Sequence, residues 1–262
     1  MGPNIIRAVR VFSVAPCAST RLFAWTGAAL FVLSLSYFLF SYVVTFGRPA
    51  TAADATGPMT WNVALFTVFA MHHSVFARER VRAWIARLLP SGLERSFYVW
   101  IASLLFIVVC ALWRPVPGVA WEADGAALWI LRVLRFAGIA LTLVSAAALD
   151  PLELAGVRTR RPEGLRLPQE SESEMELGGL QASEFRTSGP YGRVRHPIYA
   201  GWILVVFTAS PMTMTRLVFA VVSCVYLVMA IPFEERSLRA ASGGAYDRYR
   251  EQVRWKLVPG LF

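Results

Sequence analysis

GPYGRVRHPIYAG, residues 189–201, and the later pair Glu234-Glu235 decide how this chain is read. Between them, residues 197–215 and 217–233 carry no charge, with Arg216 at the expected bend. At ~1.5 Å rise per residue each arm is roughly long enough to cross a ~30 Å hydrocarbon core. Two crossings return the chain to the side it left, so Arg195-His196 and Glu234-Glu235 are expected at one membrane face. A basic and aromatic cluster facing a carboxylate pair at a lipid boundary suits a polar, charged ligand.

The rest of the chain supports a membrane setting. Hydrophobic residues make up 56% of the 262 and mean hydropathy is +0.50, too apolar for a soluble domain. Apolar runs at 22–46, 60–77, 96–113 and 127–149, with the two hairpin arms, predict an all-α polytopic fold of about six spans. Arg132 and Arg135 interrupt the fourth run near its start, where long side chains can reach headgroups. The expected organisation is one membrane domain over 1–262: four spans in 1–150, a cytoplasmic loop at 151–188, and the hairpin and tail in 189–262. The first apolar run is longer than a signal-peptide core and no small-residue cleavage site follows it. Ile6 stands where a myristoylation signal needs Ser or Thr.

A net charge of +9 invites a nucleic-acid reading. The distribution opposes it. Of 26 Lys and Arg, all but Arg48, Arg114, Arg132, Arg135 and Arg216 fall in alternate connections and the two ends. That is the positive-inside pattern, with both termini cytoplasmic and no nucleic-acid partner. Cys17, Cys110 and Cys224 are scattered and form no CxxC pair. His72 and His73 are adjacent, so on a helix they point about 100° apart and do not make an i,i+4 ligand pair. No metal is expected.

Residues 169–176 alternate Glu with Ser and Met and read as a solvated surface insertion rather than a lid. Residues 234–253 read as an amphipathic helix along the cytoplasmic interface, with Leu238, Tyr246, Tyr249 and Val253 on related faces. Gly189-Pro190-Tyr191 predicts a turn, and Pro197 suits the first turn of the following helix. Free N–H groups there favour an anionic group. Tyr191, Tyr199 and Trp202 offer aromatic faces to an adenine or a sulfonium, and Gly201 admits a close backbone or ligand. Two adjacent carboxylates after an apolar arm are costly unless paired or solvated. They would hold a ligand ammonium or ribose hydroxyls, or pair with Arg195, Arg236 or Arg239. His73-Ser74, one turn before Arg78, reads as an interhelical hydrogen bond or a substrate contact. No residue stands out as a general base.

GPYGRVRHPIYAG, PFEERSL and GGAYDRYREQV together resemble the C-terminal signature of integral-membrane S-adenosylmethionine-dependent methyltransferases, including the isoprenylcysteine carboxyl and phospholipid methyltransferases. HHSVFAR, LERSFYVWIASLLF and WRP are similar to the methanethiol S-methyltransferase and nurim-like branch. The resemblance implies a cofactor, S-adenosyl-L-methionine, gripped by Gly189, Tyr191, Arg195, His196, Pro197, Tyr199, Gly201, Glu234 and Glu235. His73 and Arg78 are the candidates for contact with the substrate. The implied partners are membrane lipid and a small thiol or amphiphilic methyl acceptor, in a bacterial inner membrane. The alternative acceptors are a prenylcysteine carboxylate and a phospholipid amine, and the alternative to an enzyme is a nurim-like scaffold. His72 stands where the methanethiol branch more often has Gln, and Asp150-Pro151 where it has Asn-His. These departures lie outside the cofactor residues and bear on the acceptor.

Overall fold

The computed structural model describes residues 18–51, 54–76, 81, 84–85, 87–89, 93–149, 151–157, 189–242 and 244–262. Arg78, Cys17, Asp150 and the Glu-rich stretch 169–176 lie outside them. Helix α1 (Ala18–Phe40) runs on into a π-helical turn, Ser41–Thr45. It is followed by α2 (Thr56–Phe76), α3 (Glu94–Leu112), strand β1 (Val119–Trp121), α4 (Gly125–Ala147) and the single-turn α5 (Pro151–Leu154). A 3-10 turn at Gly189–Gly192 leads to α6 (Pro197–Phe207), strand β2 (Met212–Thr213), α7 (Met214–Ala241) and α8 (Ala245–Gln252). β1 and β2 pair antiparallel.

Among the described residues four helical stretches are long and apolar enough to cross a membrane: Ala18–Thr45, Glu94–Leu112, Gly125–Ala147 and Met214–Ala240. Helix α2 has 21 residues, about 32 Å of rise. The protein is an all-α polytopic membrane protein, and the run interrupted by Arg132 and Arg135 forms an unbroken helix.

The fifth expected span is not a full-length helix. α6 has 11 residues, about 16 Å of rise, half a hydrocarbon core. Residues 208–213 replace the rest with a turn, a cis Ser210-Pro211 peptide and β2. The hairpin still closes, since Arg195 meets Glu235 at 2.8 Å. The bend therefore falls at Ser210-Pro211 and not at Arg216. Arg216 belongs to the first turn of α7 and is 3% exposed. Its Nε donates to the Tyr42 carbonyl at 2.8 Å, Nη1 to Pro211 at 2.6 Å and Nη2 to Val43 at 2.6 Å. Those acceptors lie in the π turn and the cis-proline loop, where backbone carbonyls lack regular helical partners. Arg135, expected to reach for headgroups, turns inward and donates to the Thr208 carbonyl at 2.9 Å.

The amphipathic helix expected over 234–253 is two pieces. α7 continues through Glu234-Glu235 to Ala241, because the change from apolar to charged residues does not itself end a helix. Gly244, at φ +93°, breaks it before α8. Leu238, Tyr246, Tyr249 and Val253 still form one apolar cluster, and it faces the protein across that break.

Phe219 of α7, fully buried, is the hub of the membrane core. Its ring lies 5.2 Å from Phe38, 5.7 Å from Phe46, 5.8 Å from Phe66, 5.2 Å from Trp113 and 6.2 Å from Trp202, centroid to centroid. These rings come from α1, the residue after its π turn, α2, the residue after α3 and α6, so one side chain joins five parts of the bundle. Polar clips fix the ends. Buried Asn62 donates to the Arg114 carbonyl and accepts from its N–H, both at 2.8 Å. In lipid such a pair has no water to replace it.

α4 is attached mainly where it crosses α6. A Cβ on Gly138 would sit 2.7 Å from Leu204 Cβ and 2.8 Å from the Gly201 carbonyl oxygen. A Cβ on Gly201 would meet Thr142 and the Gly138 carbonyl. Two glycines facing each other let the backbones touch, the usual route to dispersion contact between membrane helices. Leucine at either position is expected to force them apart, and overpacking costs about 1–3 kcal/mol. Thermal denaturation in detergent should find Gly138→Leu and Gly201→Leu clearly less stable than the parent, and Ala126→Leu, at an exposed position of α4, unchanged.

Candidate active site

Three segments meet where the hairpin closes: the turn and start of α6, the last turns of α7, and the tail after α8. Arg195, 7% exposed, and Glu235, 8% exposed, form a buried ion pair, Nε to Oε1 at 2.8 Å. Nη1 of Arg195 also donates to the carbonyls of Val253 at 2.8 Å and Arg254 at 2.6 Å. The backbone repeats the link, Arg195 N–H to the Trp255 carbonyl and His196 N–H to Lys256, each at 2.9 Å. Glu235 also lies 3.3 Å from His196 Nε2 and 4.0 Å from Arg250 Nε. Its carboxylate is thus occupied by protein groups.

Glu234 is placed differently. Its side chain is 44% exposed. Oε2 accepts from the Tyr199 hydroxyl at 2.8 Å and lies 3.6 Å from His196 Nδ1. Tyr199 and His196 stack with centroids 5.4 Å apart. The 3-10 turn sits beside them, with Gly189 at φ +65°, a conformation that favours glycine. The Tyr249 hydroxyl donates to the Tyr191 carbonyl at 2.8 Å. Burial, and then the nearby Glu234 carboxylate, raise the Tyr191 hydroxyl above its ordinary pKa. Burial pushes Tyr249 up to about 12. Both phenols therefore stay neutral donors at physiological pH.

The structure brings together Tyr191, Arg195, His196, Pro197, Tyr199, Glu234 and Glu235, with Gly189 at the edge of the turn. It sends Gly201 into the contact with Gly138, and Trp202 into the aromatic core, 4.8 Å from Phe38. The free N–H groups expected at the start of α6 are largely spent. Those of Arg195 and His196 bond the tail, and those of Tyr199 and Ala200 bond the His196 carbonyl. The open chemistry of this face is that of a carboxylate, suited to an ammonium or to hydroxyls, more than that of an anion site. His73 makes an interhelical bond, its Nδ1 2.6 Å from the Tyr98 hydroxyl, and His72 stacks on Tyr98 at 5.9 Å. Tyr98 is within electrostatic range of Tyr199. Among the described residues no three His, Cys, Asp or Glu side chains gather as a metal site. Sequence reasoning did not place Tyr98, Tyr249 or the tail carbonyls in the cluster. The i, i+3 tyrosines of GGAYDRYREQV were the available signal for α8, while the carbonyls carry none.

A helical membrane protein with a buried basic-acidic cluster at one end of a hairpin is the class these features define. No family model and no solved structure matches the chain. Curated relatives do. Over 250 residues, 92% of this chain and 90% of the other, it is 33% identical to methanethiol S-methyltransferase 2 of Bradyrhizobium diazoefficiens. It is 37% identical over 193 residues, 73% of this chain and 71% of the relative, to the methanethiol S-methyltransferase of Crocosphaera subtropica. Nurim of Sus scrofa is 28% identical over 189 residues, 70% of this chain and 68% of that one. The chain belongs to the methanethiol S-methyltransferase family, and it is a membrane methyltransferase.

Removing the Arg195 side chain would leave the Glu235 carboxylate buried and unpaired and would strip two carbonyls of their donor. Loss of one partner of a buried pair costs about 3–5 kcal/mol. Thermal melts in detergent should show Arg195→Ala far less stable than Glu234→Gln, whose parent side chain is half exposed. Equal stability of the two would contradict this division of roles.

Proposed function

We propose that this protein transfers a methyl group from S-adenosyl-L-methionine to a small thiol, with methanethiol the best candidate. The proposed setting is the cytoplasmic face of a bacterial inner membrane, with both termini cytoplasmic. The observation that carries the reading is similarity over 92% of the chain to a protein named for methanethiol S-methylation, alongside the cluster of His196, Tyr199 and Glu234.

The residues fit such a methyl donor. Glu234 Oε1 accepts no bond among the described residues, and the side chain is half exposed beside two stacked rings. That arrangement suits an ammonium or a ribose hydroxyl, with Tyr199 and His196 orienting the carboxylate. S-adenosyl-L-methionine, when bound, supplies an electrophilic methyl group. Gly189 and Tyr191 in the 3-10 turn and Pro197 at the start of α6 would help to hold it, and Arg195 with Glu235 positions the three converging segments. Gly201 supports the site through the α4–α6 crossing. Binding, orientation and exclusion of water are what these residues contribute. A small thiol is itself the nucleophile once it loses its proton, so the transfer needs no protein nucleophile. His73, held by Tyr98 at the end of α2, and Arg78 are the proposed residues on the acceptor side.

Radiolabelled methyl transfer in proteoliposomes, comparing methanethiol, a farnesylcysteine analogue and phosphatidylethanolamine, tests the acceptor. Methanethiol should be methylated. Its rate should rise with pH as thiolate accumulates and level off above the acceptor's own pKa. Carboxyl methylation should show no such rise, since that acceptor is ionised throughout. Product from the prenylcysteine or the lipid alone would overturn the thiol reading and keep the methyltransferase. No product, together with no binding of S-adenosylhomocysteine, would favour the scaffold reading that the nurim relatives raise.

In calorimetric titration with S-adenosylhomocysteine, Glu234→Gln should cost about 2–5 kcal/mol, at least roughly 30-fold in affinity, with the melting temperature retained. An unchanged affinity would remove Glu234 from the cofactor site.

A further inference from the structure

The end of the bundle opposite Arg195 holds a second polar cavity, of about 290 Å³. It lies between the π turn of α1, the start of α4 and the cis-proline loop. Arg48, Arg132, Arg135 and Arg216 all line it. These are four of the five arginines that break the positive-inside pattern. Membrane topology disfavours Lys and Arg on that side, so their gathering in one cavity calls for another cause.

Fold support accounts for part of the cluster. Arg216 spends three of its five N–H donors on Tyr42, Val43 and Pro211 carbonyls. Gly47 leaves the room its guanidinium occupies. Arg135 spends one on Thr208, and its Nε is buried without a hydrogen-bond partner. Arg132 rests on the Trp129 ring at 4.9 Å, and Arg48 is exposed. Among the described residues no carboxylate lies within ion-pair distance of any of the four. Four like charges sharing one cavity repel, and the repulsion is weakly screened in low dielectric. A buried unbonded guanidinium N–H adds the cost of an unmet donor. One bound anion would relieve both. Planar guanidinium forks match phosphate oxygens in a bidentate manner.

We propose that this cavity binds a phosphate group, and that the group is carried by an anionic phospholipid or is free phosphate. The cavity's remaining wall favours the lipid: Val43, Val44, Leu128 and Leu131 line it beside the charges, and Val43 and Val44 are exposed on the lipid-facing surface. A headgroup seated between α1 and α4 would run its acyl chains over those side chains.

Native mass spectrometry of the detergent-solubilised full chain, titrated with phosphatidylglycerol, phosphatidylcholine or inorganic phosphate, tests the site. Phosphatidylglycerol should bind at least about tenfold more tightly than phosphatidylcholine. Arg48→Gln with Arg132→Gln should abolish that preference, since among the described residues neither side chain donates a hydrogen bond to the fold. Inorganic phosphate that raises the melting temperature, with no preference between the lipids, would keep the anion site and assign it to the free ion. Equal binding of the two lipids with no effect of phosphate would overturn the proposal, as would a lipid preference untouched in the double variant. Should that variant misfold, quenching of Trp129, taken as the difference between the parent and Trp129→Phe, gives the same answer in the parent chain. Brominated phosphatidylglycerol should quench it more than brominated phosphatidylcholine, and equal quenching would overturn the lipid assignment.

Discussion

Arg195 places a charge where the chain would otherwise have three loose ends. Its guanidinium takes the Glu235 carboxylate from α7 and two carbonyls from the tail, while its own N–H and that of His196 take two more. A charged group buried to this degree persists only when its donors are met. Once they are, α6, α7 and the tail cannot move independently. The same contact sets the functional face. Because Arg195 and His196 engage Glu235, Glu234, one position earlier, is left half exposed with Tyr199 to steer it. A single residue of helical offset, about 100° around α7, separates the carboxylate that holds the fold from the one proposed to hold a ligand.

The opposite end of the bundle follows the same physics with different parts. There the chain leaves regular helix three times, at the π turn of α1, after α3, and at the cis-proline loop between α6 and α7. Backbone groups released in a membrane protein need partners supplied by protein. Arg216, Asn62 and Thr215 supply them, the last accepting from the Val116 N–H at 2.9 Å. Between the two polar ends lies an aromatic core centred on Phe219. The bundle is thus pinned at both ends by directional bonds and filled between them by rings whose packing is less directional. Among the described residues the side chains of Arg48 and Arg132 donate no hydrogen bond to this framework, which leaves their guanidinium groups to the proposed phosphate.

Hydrophobic runs and charge asymmetry carry through lipid burial, a property of composition, so the polytopic helical class and the start and end of most helices were legible from the residues. So was the meeting of Arg195-His196 with Glu234-Glu235, because returning a hairpin to its starting side requires only approximate arm lengths. α6 was not legible as a half-length helix. Residues 208–213 are uncharged and as apolar as many helical segments, and only the pairing of β2 with β1 and the bend at Ser210-Pro211 distinguish them. Continuation of α7 through its glutamates was hidden for the converse reason: a polar stretch that remains helical reads like the start of something new.

The sequence by itself determined that this chain folds as membrane helices and which residues face each other at the end of the hairpin. Those follow from hydropathy and chain length, and they survive errors of several residues. Tertiary structure decided which glutamate is committed and which is open, that Gly201 serves a helix crossing, that Trp202 belongs to the core, and that four scattered arginines share one cavity. These depend on rotations of about 100° per residue and on contacts between segments far apart in the chain, which one-dimensional spacing does not encode.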